Sequence, residues 1–204
     1  MEDHVNRIVV VLTLFLVTGF TGGAFAAPLS GEEALSERVL GSPDAPVTII
    51  EHSSLGCPHC AAFHRDTLPQ IKEKYIDTGK VRLIISDFPL GTPALAAAMI
   101  ARCAPRDRYF PFVEVLFQSQ PSWARAENPL QALGQVARMG GMGPGDVEAC
   151  LQDQELLNGI RSRAQKAQDE QGVGSTPTFF INGEEVSGNR PFAFFEDAIE
   201  KHLN

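Results

Sequence analysis

Cys57-Pro58-His59-Cys60 places two thiols two residues apart. The pair follows an apolar run, Val47-Thr48-Ile49-Ile50, and precedes a helical pattern that opens on Pro58. Proline suits a first helical position because the N–H it lacks has no partner there. The dithiol therefore stands at a helix N-terminus, where unpaired N–H groups and the positive end of the helix dipole favour a thiolate on Cys57. The thiolate is the reactive form of cysteine, so this placement points to thiol–disulfide exchange. A second chemistry uses the same atoms. His64 lies four residues after Cys60 and His52 five before Cys57, so Cys57, Cys60 and His64 make a candidate metal-handling set. Against it, neither Cys103 nor Cys150 has a CxxC neighbour, so the spacing of a four-cysteine zinc cage is missing. The plain reading of His64 is an exposed helix residue, and that of His202 a solvated one near the terminus.

Thr176-Pro177-Thr178 is the second signal. A proline entering a strand cannot donate to the sheet and belongs at the strand start or on an edge. Read alone, the Thr176–Pro177 bond suits a trans turn. Beside a dithiol, a cis bond has a geometric purpose, because it presents a backbone edge to whatever the dithiol attacks.

These groups need elements to hold them. Val47 to His52 reads as a largely buried strand, Pro58 onward as a helix kinked or split by Pro69 and ended by Gly79, and Val81 to Phe88 as a second strand. Ala27 to Pro46 reads as a short turn-rich stretch. Residues 92 to about 170 carry no strand signal. Ala94 to Ala104, Arg108 to Gln118, Pro129 to Arg138, Gly145 to Leu151 and Glu155 to Gln171 read as successive helices, broken at Pro105, Pro121 and the Gly140–Pro144 stretch. Thr178 to Ile181 and Glu185 to Ser187 flank Asn182-Gly183, a hairpin signal. A last helix runs from about Pro191 to His202. Removing the helical block leaves a compact α/β sheet domain, so the block is an insertion into that domain. Phe110, Phe112, Phe117 and Trp123 read as its core. Phe179, Phe180, Phe192, Phe194 and Phe195 read as packing for the sheet and last helix, with one or two free for an apolar groove.

The chain has 204 residues and a formal charge of −8. Ile8 to Phe20 is apolar and uncharged, and Ala24-Phe25-Ala26 matches an A-x-A cleavage pattern, so residues 1–26 read as a secretory signal peptide. The segment before the apolar run is atypical, with Glu2 and Asp3 set against Arg7; an uncleaved membrane anchor is the alternative. About 178 residues remain after cleavage, enough for a sizeable core. An acidic chain with no Lys/Arg-rich block argues against nucleic acid and anionic membrane surfaces. All four cysteines lie past the leader, and an even count in an exported chain suggests two disulfides with three connectivities on paper. The close pair is one natural bond, which leaves Cys103 with Cys150. The other reading of these two is a pair of separate buried thiols.

Three stretches together, Gly41 to Glu51, Cys57 to Cys60 and Gly172 to Gly183, resemble the DsbA-type thiol:disulfide oxidoreductases. The resemblance runs from about residue 38 to the C-terminus. It implies a thioredoxin fold with an inserted all-helical domain, divided as 27–91 with the CPHC motif, 92–171 for the insertion and 172–204 with the cis proline. It implies no cofactor, a monomer in the periplasm, disulfide donation to reduced exported proteins, and reoxidation by a DsbB-like membrane quinone reductase. Carried onto this sequence, Cys57 is the exposed nucleophile and Cys60 the buried resolving thiol. Pro58 and His59 tune the couple, a polarised or cationic His59 stabilising the Cys57 thiolate. Pro177 is the cis proline, and Thr176 supplies the backbone that pairs with bound peptide. Glu51 matches a buried acid that relays protons to Cys60; its plainer reading is a strand-end carboxylate paired with a nearby lysine. Some relatives also carry a second disulfide in the helical block, the position of Cys103 and Cys150.

The enzyme alternative is a disulfide isomerase or reductase. Periplasmic isomerases of this kind dimerise through an added N-terminal domain, and about 20 residues between the cleavage pattern and the first strand leave no room for one.

Overall fold

The computed structural model describes residues 27–203. The signal-peptide expectation for residues 1–26 lies outside them. Five strands, β1 (Val39–Leu40), β2 (Val47–Ser53), β3 (Val81–Asp87), β4 (Thr178–Ile181) and β5 (Glu184–Ser187), form one mixed sheet in the order β1-β3-β2-β4-β5. Its centre is β2, parallel to β3 and antiparallel to β4. Paired along both edges, β2 buries five of its seven residues, the polar Glu51, His52 and Ser53 among them. The register sets Glu51 opposite Ile85 on one side and Phe179 on the other. β4 turns into β5 (Glu184–Ser187) through Asn182 and Gly183, whose φ values of 45° and 93° suit the tight hairpin.

The stretch 27–46 is more structured than its turn-rich composition suggests. It holds α1 (Gly31–Leu35) and the edge strand β1 (Val39–Leu40), which pairs antiparallel with β3 through Val39 and Ile84. Arg102 is the physical reason. Buried near the end of α4 (Thr92–Cys103), it forms an ion pair with Asp87 and donates to the carbonyls of Ala34 and Ser36 at 3.3 and 3.0 Å. One guanidinium thus ties α1 and the turn after it to the end of β3.

The helix after the dithiol is interrupted more than one proline requires. α2 (Pro58–Ala62) passes into a π-helical turn over Phe63–Thr67, then α3 (Leu68–Ile71), then a second π turn over Lys72–Ile76. Between β3 and β4 the chain forms α4, α5 (Tyr109–Gln118), the single-turn α6 (Gln120–Trp123), α7 (Pro129–Met139), α8 (Pro144–Gln152) and α9 (Gln154–Gln171). α6 falls where the sequence reads as a break. α10 (Phe192–Leu203) closes the chain.

Two apolar cores result. One joins the sheet to α10: Phe63, Phe179 and Phe195 meet with ring centroids 4.6 to 5.3 Å apart, among Val47, Ile49, Leu83 and Ile199. The other lies within the helical block, around Met99, Ile100, Trp123, Leu133 and Leu156, and extends to Leu55, Cys57 and Cys60. The dithiol is therefore carried by the sheet domain but packed by the block. Phe112, Phe117 and Trp123 are buried in that second core, whereas Phe194 on α10 is exposed.

Candidate active site

Cys57 is the N-cap of α2, in extended conformation, and Pro58 fills the first helical turn. The loop before it is fixed by its own backbone, with Cys57 N–H donating to the Ser54 carbonyl at 3.0 Å and Leu90 N–H to Ser54 Oγ at 3.1 Å. Across the loop, the Thr176–Pro177 peptide bond is cis, and the Cys57 thiol donates to the Thr176 carbonyl at 3.3 Å. The two motifs read from the sequence thus face each other at hydrogen-bond distance.

The two thiols have opposite electrostatics. Cys57 is lowered from 9.0 to about 5. The largest cause is the hydrogen bond from Cys60; the Thr176 side chain and the backbone N–H groups of Cys60 and His59 add to it, against burial that acts the other way. Thr176 Oγ1 is buried with no hydrogen-bond partner of its own, so its hydroxyl is available to the sulfur. Cys60 is fully buried and is driven far upward by burial first, then by its bond to Cys57 and the charge of Glu51. The pair is thus a ready thiolate beside a thiol that resists ionisation. Both are free, whereas Cys103 and Cys150 are bonded, with Cα atoms 6.1 Å apart, linking α4 to α8.

Several expectations change in detail. Cys57 is not an exposed nucleophile: it is only 7 % accessible, because the helical block covers it. His59 is exposed, and its backbone N–H acts on Cys57. Glu51, fully buried, has no lysine partner. Ser53 Oγ donates to its Oε1 at 2.6 Å, and His64 Nε2 lies 2.9 Å from its Oε2. His64 is consequently not an exposed helix residue; its side chain is 6 % accessible and stacks on Phe117 with ring centroids 4.3 Å apart. With Nε2 engaged by Glu51, His64 does not join the two cysteines, and no metal-competent group of three or more His, Cys, Asp or Glu occurs among the described residues. His52 is buried edge-on against Phe180, and His202 is mostly covered, its Nε2 4.0 Å from Glu184.

One site residue carries no signal in the sequence. Gln120, at the start of α6, is buried and donates from Nε2 to the carbonyls of Leu55 and Cys57 at 2.6 and 3.0 Å. The helical block thereby grips the dithiol loop by its backbone.

Comparison with known proteins agrees with this geometry. A family profile for thioredoxin matches residues 33–201. The solved structure of Wolbachia pipientis alpha-DsbA1 superposes with a TM-score of 0.77 at 33% identity, covering 86% of this chain and 92% of that one. The chain belongs to the DsbA-like branch of the thioredoxin family. Relatives also include disulfide bond formation protein D of Bacillus subtilis, 26% identical over 182 residues, which are 86% of this chain and 81% of that protein. The structure of oxidised BdbD from Bacillus subtilis gives a TM-score of 0.74 at 25% identity, covering 87% of this chain and 99% of that one. The chain spans about 60% of the length of a Rickettsia felis relative, to which it is 29% identical over 169 residues. The thioredoxin fold with helices between β3 and β4 is thus shared with solved DsbA structures.

Proposed function

We propose that this protein is a thiol:disulfide oxidoreductase that donates the Cys57–Cys60 disulfide to reduced polypeptides outside the cytoplasm. The observation that carries the reading is the split between the two thiols. A thiolate at Cys57 stabilises the reduced form, and whatever stabilises the reduced form makes the disulfide a stronger oxidant. The low value also makes Cys57 a good leaving group once a substrate sulfur is attached to it.

A substrate thiolate attacks Cys57 Sγ in the oxidised pair, and the bond to Cys60 breaks with its electron pair on Cys60. A second substrate thiolate then attacks the substrate sulfur of the mixed disulfide and releases Cys57 as its stable thiolate. The substrate leaves oxidised by two electrons and the protein is left reduced. Thr176 and Pro177 stand where an extended chain would pass the sulfur, and the carbonyl that Cys57 contacts is a ready backbone acceptor for it. Export is supported by the leader pattern of residues 1–26 and by the Cys103–Cys150 bond, since disulfides persist in oxidising compartments. Reoxidation in this reading falls to a DsbB-like membrane quinone reductase.

The test is the equilibrium reduction potential of Cys57/Cys60 against glutathione, in protein with Cys103 and Cys150 replaced by alanine. A potential clearly above that of the glutathione pool is expected. A potential below it refutes donation and turns the reading to a reductase or isomerase.

A further inference from the structure

Glu51 is sealed on the side of the sheet, yet a path leads out of it. One carboxylate oxygen takes the Ser53 hydroxyl at 2.6 Å, and Ser53 lies near enough to the Cys60 thiol to ease its ionisation. The other oxygen meets His64 Nε2 at 2.9 Å. The π turn over Phe63–Thr67 carries His64, whose ring lies between Phe117 and the edge of Phe63. Beyond the ring lies a groove of about 500 Å³, lined among others by Pro58, Ala61, Phe117 and Gln120. Imidazole suits such a junction, because it takes up and releases protons near neutral pH through two nitrogens on opposite sides of the ring.

We infer that His64 is the outlet of a proton path, Cys60–Ser53–Glu51–His64, that supplies the buried sulfur from the groove. The inference rests on the protein's acting as a disulfide donor. When the substrate thiolate takes Cys57, Cys60 leaves as a thiolate in a site that penalises charge. His64, protonated from the groove, passes a proton to the Glu51 carboxylate, and Glu51 passes it through the Ser53 hydroxyl to the Cys60 thiolate. Each member receives one proton and gives one, so the relay returns to its starting state. The electron pair stays on Cys60, and the substrate thiol has already released its own proton to solvent. Glu51 from β2 faces His64, and the charged groups that line the same grooves are Arg65 from its own turn, Glu114 from α5, Arg125 from beyond α6 and Lys72 from the next turn.

The experiment follows single-turnover disulfide transfer from the oxidised full chain to a fluorescent dithiol peptide over a range of pH. Rates are corrected for the peptide's thiolate fraction and compared for wild type, His64→Gln and His64→Ala. Both variants should slow transfer by about 100-fold, the scale of lost proton transfer by a positioned group. Imidazole in the buffer should restore the His64→Ala rate in proportion to its protonated fraction, whereas pyrazole, of the same shape but far less basic, should not. If His64→Ala does not fold, the flattened pH profile of His64→Gln carries the test. Rates of either variant within about twofold of wild type, or equal rescue by the two additives, overturn the relay and leave the donor reading standing. A wild-type protein that transfers no disulfide to the peptide overturns both.

Discussion

The value of about 5 for Cys57, against 9.0 for an ordinary thiol, has a consequence for folding that is measurable without any substrate. A group whose ionisation is easier in the fold stabilises the fold when ionised. The contribution is complete above pH 9, shrinks as pH falls, and is gone below about pH 5. At pH 7, midway between the two values, it comes to about 2.7 kcal/mol. The sulfur keeps a narrow opening to water, and screening trims the figure to about 1 to 2 kcal/mol. As a redox effect, that equals about 20 to 40 mV toward the oxidising side. The perturbation is acid, applied to reduced wild type and to Cys57→Ser, each unfolded in urea at pH 7 and pH 4. Titration of every other group is common to both proteins and cancels in the comparison. The wild type should lose about 1 to 2 kcal/mol more than the variant between the two pH values. A gap between the proteins that does not change with pH would show that Cys57 is not ionised at neutral pH, and the argument for an oxidant would lose its basis.

Three other outcomes are expected. Thr176→Val removes the hydroxyl that serves the Cys57 sulfur and should raise its thiol by about one pH unit in an ultraviolet thiolate titration, the scale of a hydrogen bond to a charged group; an unmoved titration would mean the hydroxyl does not reach the sulfur. Gln120→Ala leaves the buried carbonyls of Leu55 and Cys57 without their donor and should cost about 1 to 3 kcal/mol in denaturant unfolding, whereas unchanged stability would remove the clamp. Replacing Cys103 and Cys150 together by alanine opens a link between residues 47 apart, worth about 4 kcal/mol in the chain-entropy account, and a loss under about 1 kcal/mol would show that the reduced chain is already held in place by packing.

Much of the frame is legible in the residues. The CxxC after an apolar run, the Thr-Pro before Thr178 and the Asn-Gly turn are local signals, and each acts through backbone geometry that neighbouring residues specify. Side chains that meet across the chain escape such reading. His64 reads as exposed because its imidazole is polar, yet four residues after buried Cys60 it shares that residue's helix face, and the groups that receive it, Glu51 and Phe117, come from other elements that no local spacing reveals. Arg102, at the end of an alanine-rich helix, carries no local sign of Asp87 and the two distant carbonyls that surround it. Gln120 sits in a Ser-Gln-Pro-Ser stretch that has every mark of a break, and its acceptors lie more than sixty residues away.

The grip of Gln120 on the dithiol loop also bears on how such proteins diverge. A chain that exchanged its inserted helices for another set would keep its sheet, its CPHC and its proline, yet would hand the loop carbonyls and the covering of Cys57 to new side chains. Redox strength in this architecture is therefore inherited from two stretches of sequence at once. Drift within the helices can retune an oxidant while the motif by which it is recognised stays the same.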